Sequence, residues 1–218
     1  MIQATTLSFL ADLAANNHKE WFEANRTRYQ AAKNDVLALV AATLAELGPA
    51  HGWPPVEPKQ CTFRQNRDVR FSKEKHPYKT NMGFVLGPLG KKTDTLQGIY
   101  VHIEPGQAFL AMGVYQPTGD EIKKIRQEID FNLDRWTSIV QAPDFVQTFG
   151  GVEGTRLKTS PKGYDAQHPG IEWLRMTQLL AMQKLTDKQL QAKELPLVVA
   201  QGFAKAAAFR SFLQDALA

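Results

Sequence analysis

The sequence has 218 residues, of which 43% are hydrophobic and 22% are charged, and its net charge is +4. These proportions are ordinary for a globular protein, and the mild charge argues against a strong nucleic-acid binder, which usually has a longer basic face. The single cysteine, Cys61, excludes an internal disulfide and agrees with a reducing compartment.

The N-terminal part of the chain predicts a short helix followed by a longer one over residues 18–47. Asn17 is expected to cap the longer helix. Trp21, Asn25 and Tyr29 are spaced four residues apart, so they share one stripe of that helix. A polar Asn25 within an aromatic stripe indicates either an anchor for a nearby loop, which we favour, or a ligand contact.

The middle of the chain predicts antiparallel strands. Met82–Leu86 is a strand, and residues 99–114 form a hairpin whose Pro105-Gly106 pair suits a type II turn. The first hairpin strand alternates between an apolar and a polar face, which carry Ile99, Val101 and Ile103, and Tyr100, His102 and Glu104. The polar face is either the floor of a binding site or the solvent-exposed side that is usual for such a hairpin.

The C-terminal half predicts helices around one more strand. Thr118 and Glu121 form a capping box that opens a helix. Residues 157–164 form a second basic loop, residues 177–185 read as a buried strand, and the last helix begins at Pro196.

This order of elements predicts an α+β fold. We expect a single domain over residues 1–218, with a mainly antiparallel sheet around a central hairpin. Helices from the N-terminal and C-terminal parts of the chain should pack against that sheet. The apolar side of the hairpin should be the side that is buried.

Residues 63–80 concentrate positive charge, because six cations face only two carboxylates. The charged side chains are Arg64, Arg67, Arg70, Lys73, Lys75 and Lys79, with Asp68 and Glu74. The alternation of polar and apolar residues predicts two short extended pieces with a bend at Gln65 and Asn66. Ser72 should cap a turn whose outward N–H groups favour an anion. The alternative is a solvated loop in which Asp68 pairs with both neighbouring arginines.

We predict that this stretch binds an anion. The expected ligand-binding residues are Arg64, Arg67, Asp68, Arg70, Ser72, Lys75, Tyr78, Lys79 and Tyr100, with Trp21, Asn25 and Arg26 close to them. The candidate catalytic residues are His102 and Glu104, which lie on the polar face of the hairpin. Arginine forks hold phosphate or carboxylate through two parallel bonds, whereas lysine acts as a point charge.

Several segments resemble a known family. They are Asn17 with Trp21-Phe22, Asn25-Arg26 and Tyr29, the run from Arg67 to Lys79, the run from Tyr100 to Gly106, and Pro161-Lys162-Gly163-Tyr164. Over almost the whole chain, the sequence resembles a family of bacterial and fungal conserved hypothetical proteins, domain of unknown function 2461. One departure is Glu74, where the family usually has Asp. The resemblance implies a single intracellular α+β domain and transfers no activity, substrate or catalytic residue.

Common cofactor and metal motifs are absent from the sequence. It has no Walker-type glycine loop, no Gly-x-Gly-x-x-Gly and no Cys/His metal spacing. His102 and Glu104 could serve a divalent metal or act as a general base, but two ligands are too few for a metal site. We therefore expect neither a cofactor nor a metal.

Three functions fit these residues. In an enzyme, Arg64 and Arg70 would hold a phosphate or carboxylate while His102 moves a proton. In a nucleic-acid-binding protein, Tyr78 or Tyr100 would stack on a base. In an interaction module, the basic stretch would meet an acidic protein. We favour an anionic small molecule as the partner and keep the other two functions as alternatives.

The cellular location follows from what the sequence lacks. No stretch approaches the roughly 18 apolar residues of a membrane span. Residues 1–6 lack the basic start and the apolar run of a signal peptide. We therefore expect a cytoplasmic protein with no membrane partner.

Overall fold

The computed structural model of the chain describes residues 1–70, 74–94 and 96–218. The strands in these residues are β1 (Met82–Leu86), β2 (Ile99–Ile103), β3 (Phe109–Val114), β4 (Val152–Glu153) and β5 (Leu179–Lys184). Together they form an open antiparallel sheet in the order β1-β2-β3-β5-β4. The predicted α+β fold is confirmed, and so are strand β1 and the central hairpin.

Helices make up most of the remaining regular structure. They are α1 (Ala4–Ala15), α2 (Lys19–Ala24), α3 (Arg26–His51), α4 (Pro58–Cys61), α5 (Gly119–Phe131), α6 (Leu133–Val140), α7 (Pro143–Phe149), α8 (Ile171–Leu174), α9 (Asp187–Leu190), α10 (Leu195–Lys205) and α11 (Ala207–Leu217). Among the described residues, none of the helices combines the length and the apolar character needed to cross a membrane.

The chain divides into two compact units, each assembled from separate stretches. The first unit comprises Met1–Thr93, Gly98–Leu110 and Lys184–Gln201. The second unit comprises Asp94–Gln97, Ala111–Gln183 and Gly202–Ala218. One domain over residues 1–218 stays a prediction.

In the first unit, the predicted long helix is broken at Asn25. Helix α2 ends and α3 begins at this residue, whose backbone has φ −105° and ψ 20°. The cap of α2 is His18, whose Nδ1 accepts a hydrogen bond from the backbone N–H of Trp21 at 3.4 Å. The prediction that Asn17 caps this helix is therefore wrong, because its side chain has a more distant partner.

The hairpin of the first unit has the predicted faces. Ile99, Val101 and Ile103 are fully buried. The N–H of Gln107 donates to the carbonyl of Glu104 at 3.1 Å, and the intervening Gly106 has φ 72°. A positive φ at this position defines a type II turn, which confirms the predicted one. The polar face of β2 is therefore fixed opposite the buried one.

The second unit is tied together by arginine side chains that bind backbone carbonyls. The Arg126 guanidinium, on α5, donates to the carbonyls of Leu174 at 2.7 Å and Met176 at 3.2 Å. Arg175 donates from two nitrogens to the carbonyl of Leu157, at 3.0 and 2.8 Å, and thereby holds one end of the second basic loop. Helix α5 begins with the predicted capping box at Thr118.

Candidate functional site

The two sides of the basic stretch pair with each other. The N–H of Arg67 donates to the carbonyl of Pro77, and the N–H of Lys79 donates to the carbonyl of Gln65, both at 2.9 Å. Asn66 forms an antiparallel bridge with Tyr78 between these two bonds. Residues 65–67 and 77–79 are therefore a short ladder, and we call the described residues between them, 68–70 and 74–76, the tip.

The backbone bends at Gln65, as predicted, and this residue is buried next to the bridging residue Asn66. The side-chain NH₂ of Gln65 donates to the carbonyls of Lys79 and Asn81, the second at 3.1 Å. Polar residues are common in turns, but a buried amide that satisfies two backbone carbonyls acts as an internal brace.

The cations at the tip of the stretch have local partners. The Arg70 guanidinium donates to both oxygens of Asp68, at 3.0 and 2.7 Å, although its side chain is 77% exposed. This pairing lowers the pKa of the Asp68 carboxyl and raises that of Arg70. Arg67 lies 3.5 Å from Glu74. The Asp68–Arg70 pair agrees with the alternative of a solvated, ion-paired loop, whereas Arg67 is near Glu74.

The two remaining predicted site residues of the tip are Lys75 and Ser72. The Lys75 ammonium donates to the carbonyl of Val69 at 3.0 Å. Ser72 lies outside the described residues. The predicted cap at Ser72 therefore stays a prediction.

Tyr78, the centre of the ladder, is a core residue. Its buried ring stacks on Phe22 of α2, with the centroids 3.9 Å apart and the planes at 12°. The Asn17 amide pairs with the Tyr78 backbone, donating to its carbonyl at 2.9 Å and accepting from its N–H at 3.1 Å. Because the ring is covered, we do not include Tyr78 among the groups proposed to touch a ligand.

The three predicted residues of the N-terminal helices have different surroundings. Arg26 forms an exposed salt bridge at 3.0 Å with Glu23. Burial and the charge of Glu23 raise the pKa of the Tyr78 phenol, while the charge of Arg26 opposes them. Trp21 stacks on Phe9 of α1. Helix α2 therefore lies beside the Tyr78 end of the basic stretch.

Asn25 is engaged within the helical layer. Its side-chain NH₂ donates to the carbonyl of Trp21 at 2.9 Å, and its oxygen accepts from Arg28 at 3.2 Å. The favoured prediction, an anchor for a nearby loop, does not describe these contacts. They link the end of α2 to the first turn of α3.

Four side chains form a continuous hydrogen-bonded chain beside the ladder, which we call the relay. The Tyr100 hydroxyl lies 2.9 Å from Nδ1 of His102, and Nε2 of His102 lies 2.9 Å from Oε2 of Glu104. The Thr80 hydroxyl donates to Oε1 of Glu104 at 2.6 Å. His102 and Glu104 are sheltered, with side-chain exposures of 12% and 20%. The two candidate catalytic residues are thus in direct contact.

The proton positions in the relay follow from the charge of Glu104. Burial alone would raise the pKa of this carboxyl, but the hydrogen bonds from His102 and Thr80 outweigh it, and the pKa is lowered. An ionised carboxylate can only accept hydrogen bonds, so Nε2 of His102 carries a hydrogen. In a neutral imidazole Nδ1 is then an acceptor, and the Tyr100 hydroxyl donates to it.

The relay is held in place by its neighbours in the sheet. The His102 ring stacks on Phe109, with the centroids 4.6 Å apart and the planes at 9°. Gly83 of β1 lies opposite His102 in the strand register. A Cβ atom at Gly83 would approach the Tyr100 hydroxyl oxygen to 2.7 Å. The Tyr100 side chain therefore requires a glycine beneath it.

We expect Gly83→Ala to destabilise the protein by about 1–3 kcal/mol, because the added methyl group overpacks the space under Tyr100. Urea unfolding of the variant measures this loss. Gly48→Ala is the matched control, since an added Cβ at Gly48 meets no atom within 4 Å. A Gly83 variant as stable as the wild type would contradict the observed position of Tyr100.

Two cations flank the ladder, because Arg64 precedes Gln65 and Lys79 pairs with it, and we call Arg64 and Lys79 the cationic rim. The Lys79 ammonium lies 5.3 Å from the centroid of the Phe63 ring, which lies 6.3 Å from that of Tyr100. Burial, and then the charge of Arg64, lower the pKa of Lys79. Phe63 is 43% exposed, so its ring offers an apolar surface beside both Lys79 and Tyr100.

Metal ligation has little support at this site. In residues 1–70, 74–94 and 96–218, no three His, Cys, Asp or Glu side chains are grouped so that they could hold one ion. Both ring nitrogens of His102 are already hydrogen-bonded, one to Tyr100 and one to Glu104. The arrangement suits proton transfer along the relay instead.

Sequence reasoning missed four residues that shape the site. They are Asn17, Phe63, Thr80 and Gly83. Of these four, only Thr80 could have been predicted from the sequence. It follows the last cation of the basic stretch, and its hydroxyl could reach the polar face of β2. The other three act through partners that are distant in the sequence.

Comparison with known proteins identifies the family of the chain but gives no function. No curated protein and no solved structure matches the chain significantly. Residues 5–212 match the family model described as Conserved hypothetical protein (DUF2461), which confirms the resemblance seen in the sequence. Because this match covers nearly the whole chain, the protein belongs to the DUF2461 family of conserved hypothetical proteins.

Proposed function

We propose that the protein binds an anionic small molecule, bearing phosphate or carboxylate, at the cationic rim, and that the relay exchanges a proton with it. The observation that carries the proposal is the Tyr100–His102–Glu104 chain on one strand face, which is bonded to Thr80, the residue after Lys79. A carboxylate, an imidazole and a phenol in series are the components of general acid–base catalysis. The function that we propose is therefore that of an enzyme whose substrate is the bound anion.

The rim is favoured over the tip as the anion site because its two cations form no salt bridge among the described residues, although the charge of Arg64 contributes to the lowered pKa of Asp68. Arg70 is paired with Asp68, and Arg67 lies near Glu74. In the described part of the chain, neither Arg64 nor Lys79 forms a salt bridge. Two neighbouring cations repel each other, and an anion between them would relieve that repulsion and raise the pKa of Lys79.

The proposed site has a polar and an apolar part. Arg64 supplies a planar fork and Lys79 a point charge for the anionic group. The exposed Phe63 ring offers apolar contact to the rest of the ligand. The Tyr100 phenol, next to Phe63, is then the first group of the relay that the ligand meets.

A cytoplasmic location is part of the proposal. What supports it is the single cysteine, Cys61, which fits a reducing compartment. Burial raises the pKa of the Cys61 thiol to about 11, so this residue stays a protonated core side chain and no candidate nucleophile.

The proposal is tested by titrating inorganic phosphate into the wild type, Lys79→Gln and Arg64→Gln in a calorimeter. Each rim variant should bind about tenfold more weakly or worse, because a hydrogen bond to a charged group contributes about 1.5–3 kcal/mol. Lys193→Gln is the control, since Lys193 is exposed and belongs to the same unit.

Two results would contradict the proposed site. Unchanged affinity in the rim variants with a loss in Arg70→Gln would move the anion to the tip. Binding of a single-stranded oligonucleotide that is tighter than phosphate binding and falls steeply with salt would favour the nucleic-acid function. Binding of an acidic peptide alone would favour the interaction module.

A further inference from the structure

The relay has an orientation that decides which atom can react. Both nitrogens of His102 and both oxygens of Glu104 are hydrogen-bonded within the relay. Neither side chain therefore has a ring nitrogen or carboxylate oxygen outside these bonds to offer a substrate. Of the relay groups, the Tyr100 oxygen is bonded to His102 Nδ1 at 2.9 Å, and the Tyr100 ring lies beside Phe63, next to the cationic rim.

We propose that Tyr100 is a nucleophile that attacks phosphate monoesters bound at the cationic rim, with His102 as its general base. This inference rests on the anion site proposed above. It adds the substrate class and the reacting atom, and it gives His102 a role that needs no direct contact with the substrate.

The reaction balances in two steps. In the first, the Tyr100 oxygen forms a bond to phosphorus, its proton passes to Nδ1 of His102, and the bond from phosphorus to the ester oxygen breaks. The departing ester oxygen takes a proton from solvent and leaves as an alcohol, while the imidazolium keeps the phenol proton. In the second, a water molecule attacks phosphorus and loses a proton to solvent, and the bond from phosphorus to the Tyr100 oxygen breaks. Inorganic phosphate leaves, and the imidazolium returns its proton to the Tyr100 oxygen.

The relay favours the first step because it stabilises the charge that the step creates. When His102 accepts the phenol proton, its imidazolium lies 2.9 Å from the ionised Glu104 carboxylate. The hydrogen bond from Thr80 keeps that carboxylate oriented. An oriented carboxylate that supports a base is the arrangement by which proteins activate hydroxyl nucleophiles.

Phosphate monoesters are the substrate class that the rim suits. A monoester carries a charge close to −2 near neutral pH, and three oxygens that accept strong hydrogen bonds. Arg64 and Lys79 supply two positive charges that match it. Positioned cations also stabilise the charge on phosphoryl oxygens in the transition state. The organic part of the ester would lie on the exposed Phe63 ring.

A second histidine–carboxylate pair in the chain shows what the relay has in addition. In the second unit, Nε2 of His168 lies 2.9 Å from Asp130, but its Nδ1 accepts from the backbone N–H of Gly170 at 3.0 Å. Its second nitrogen thus holds a backbone turn, whereas that of His102 faces a hydroxyl. His168 is therefore the matched control for His102.

The test is to incubate the protein with p-nitrophenyl phosphate, quench with acid, and map phosphotyrosine by peptide mass spectrometry. Wild type should carry phosphotyrosine at Tyr100. Tyr100→Phe should remove that label, and His102→Gln should lower the rate of labelling at least tenfold, since general-base catalysis contributes about 10²–10⁴-fold. His168→Gln and Tyr115→Phe, which alters an exposed tyrosine, should leave the label at Tyr100 unchanged.

The results separate this inference from the proposed function. No phosphotyrosine at Tyr100 in the folded wild type, or labelling at the same rate in His102→Gln, would overturn the nucleophile. If inorganic phosphate still binds at the rim in that case, the anion site stands without it. If phosphate does not bind and no label forms, both proposals fail.

Discussion

Glu104→Ala should lower the free energy of unfolding by about 2–3 kcal/mol at neutral pH. The change leaves the Nε2 hydrogen of His102 and the Thr80 hydroxyl without their sheltered acceptor. Hydrogen bonds to a charged group contribute about 1.5–3 kcal/mol each, and partial exposure of the carboxyl reduces their sum. Urea unfolding measures the difference, with Glu46→Ala, an exposed position in the middle of α3, as the control.

The same variant tests the pH dependence of the relay. Because the pKa of Glu104 is lowered in the folded protein, its contribution is fully present above the ordinary value of 4.5. That contribution is lost as the pH falls through the lowered folded value. The stability difference between wild type and Glu104→Ala should therefore shrink on acidification below about pH 4.5. A difference that stays constant down to about pH 2 would contradict an ionised Glu104 in the relay.

Asn17→Ala should destabilise the protein by about 2–4 kcal/mol, because it leaves the buried N–H and C=O of Tyr78 without partners. Lys79 and Thr80 follow Tyr78 directly in the chain. Loosening that backbone should also weaken phosphate binding, by about tenfold for one charge-assisted bond lost. Urea unfolding and phosphate titration check the two effects.

The control for this prediction is Asn34→Ala. Asn34 is exposed on α3, and its side-chain oxygen accepts a hydrogen bond from the Gln30 side chain at 2.9 Å. It should change stability by less than about 0.5 kcal/mol. An Asn17 variant that keeps wild-type stability but loses phosphate binding would show that the amide contacts the anion and does not brace the loop.

The strands could be predicted from the sequence because their alternation reports burial directly. Ile99, Val101 and Ile103 alternate with polar residues, and a strand places alternate residues on opposite faces. The same rule placed His102 and Glu104 on one side, where the structure has them in contact. Side chains two apart on a strand are neighbours whatever the rest of the fold does.

The breaks and braces could not be predicted, because they depend on partners elsewhere in the chain. The amide of Asn17 binds a backbone group 61 residues away, and no local pattern indicates this. The bend at Gln65 was predicted, but its bracing role depends on the carbonyls of Lys79 and Asn81, which lie far along the chain. Apolar residues keep their helical spacing on both sides of Asn25. The sequence pattern therefore does not indicate that α2 ends and α3 begins at this residue.

The division of the basic stretch into a tip and a rim could not be predicted from the sequence either. The sequence shows six cations but not which of them have partners. Arg70 binds Asp68 because the two lie only two residues apart in an exposed segment. Lys79 follows the buried Tyr78 and is consequently held at the ladder, next to Phe63. The buried Tyr78 ring thus fixes Lys79 of the rim at the ladder, whereas the residues of the tip lie beyond it.

The most direct test of the rim as the anion site is diffraction from a crystal grown with inorganic phosphate. We expect an ordered phosphate within hydrogen-bond distance of the Lys79 ammonium and the Arg64 guanidinium. The Tyr100 oxygen should face this phosphate. A phosphate ordered at Arg70 instead, or a rim that stays empty at saturating phosphate, would contradict the account.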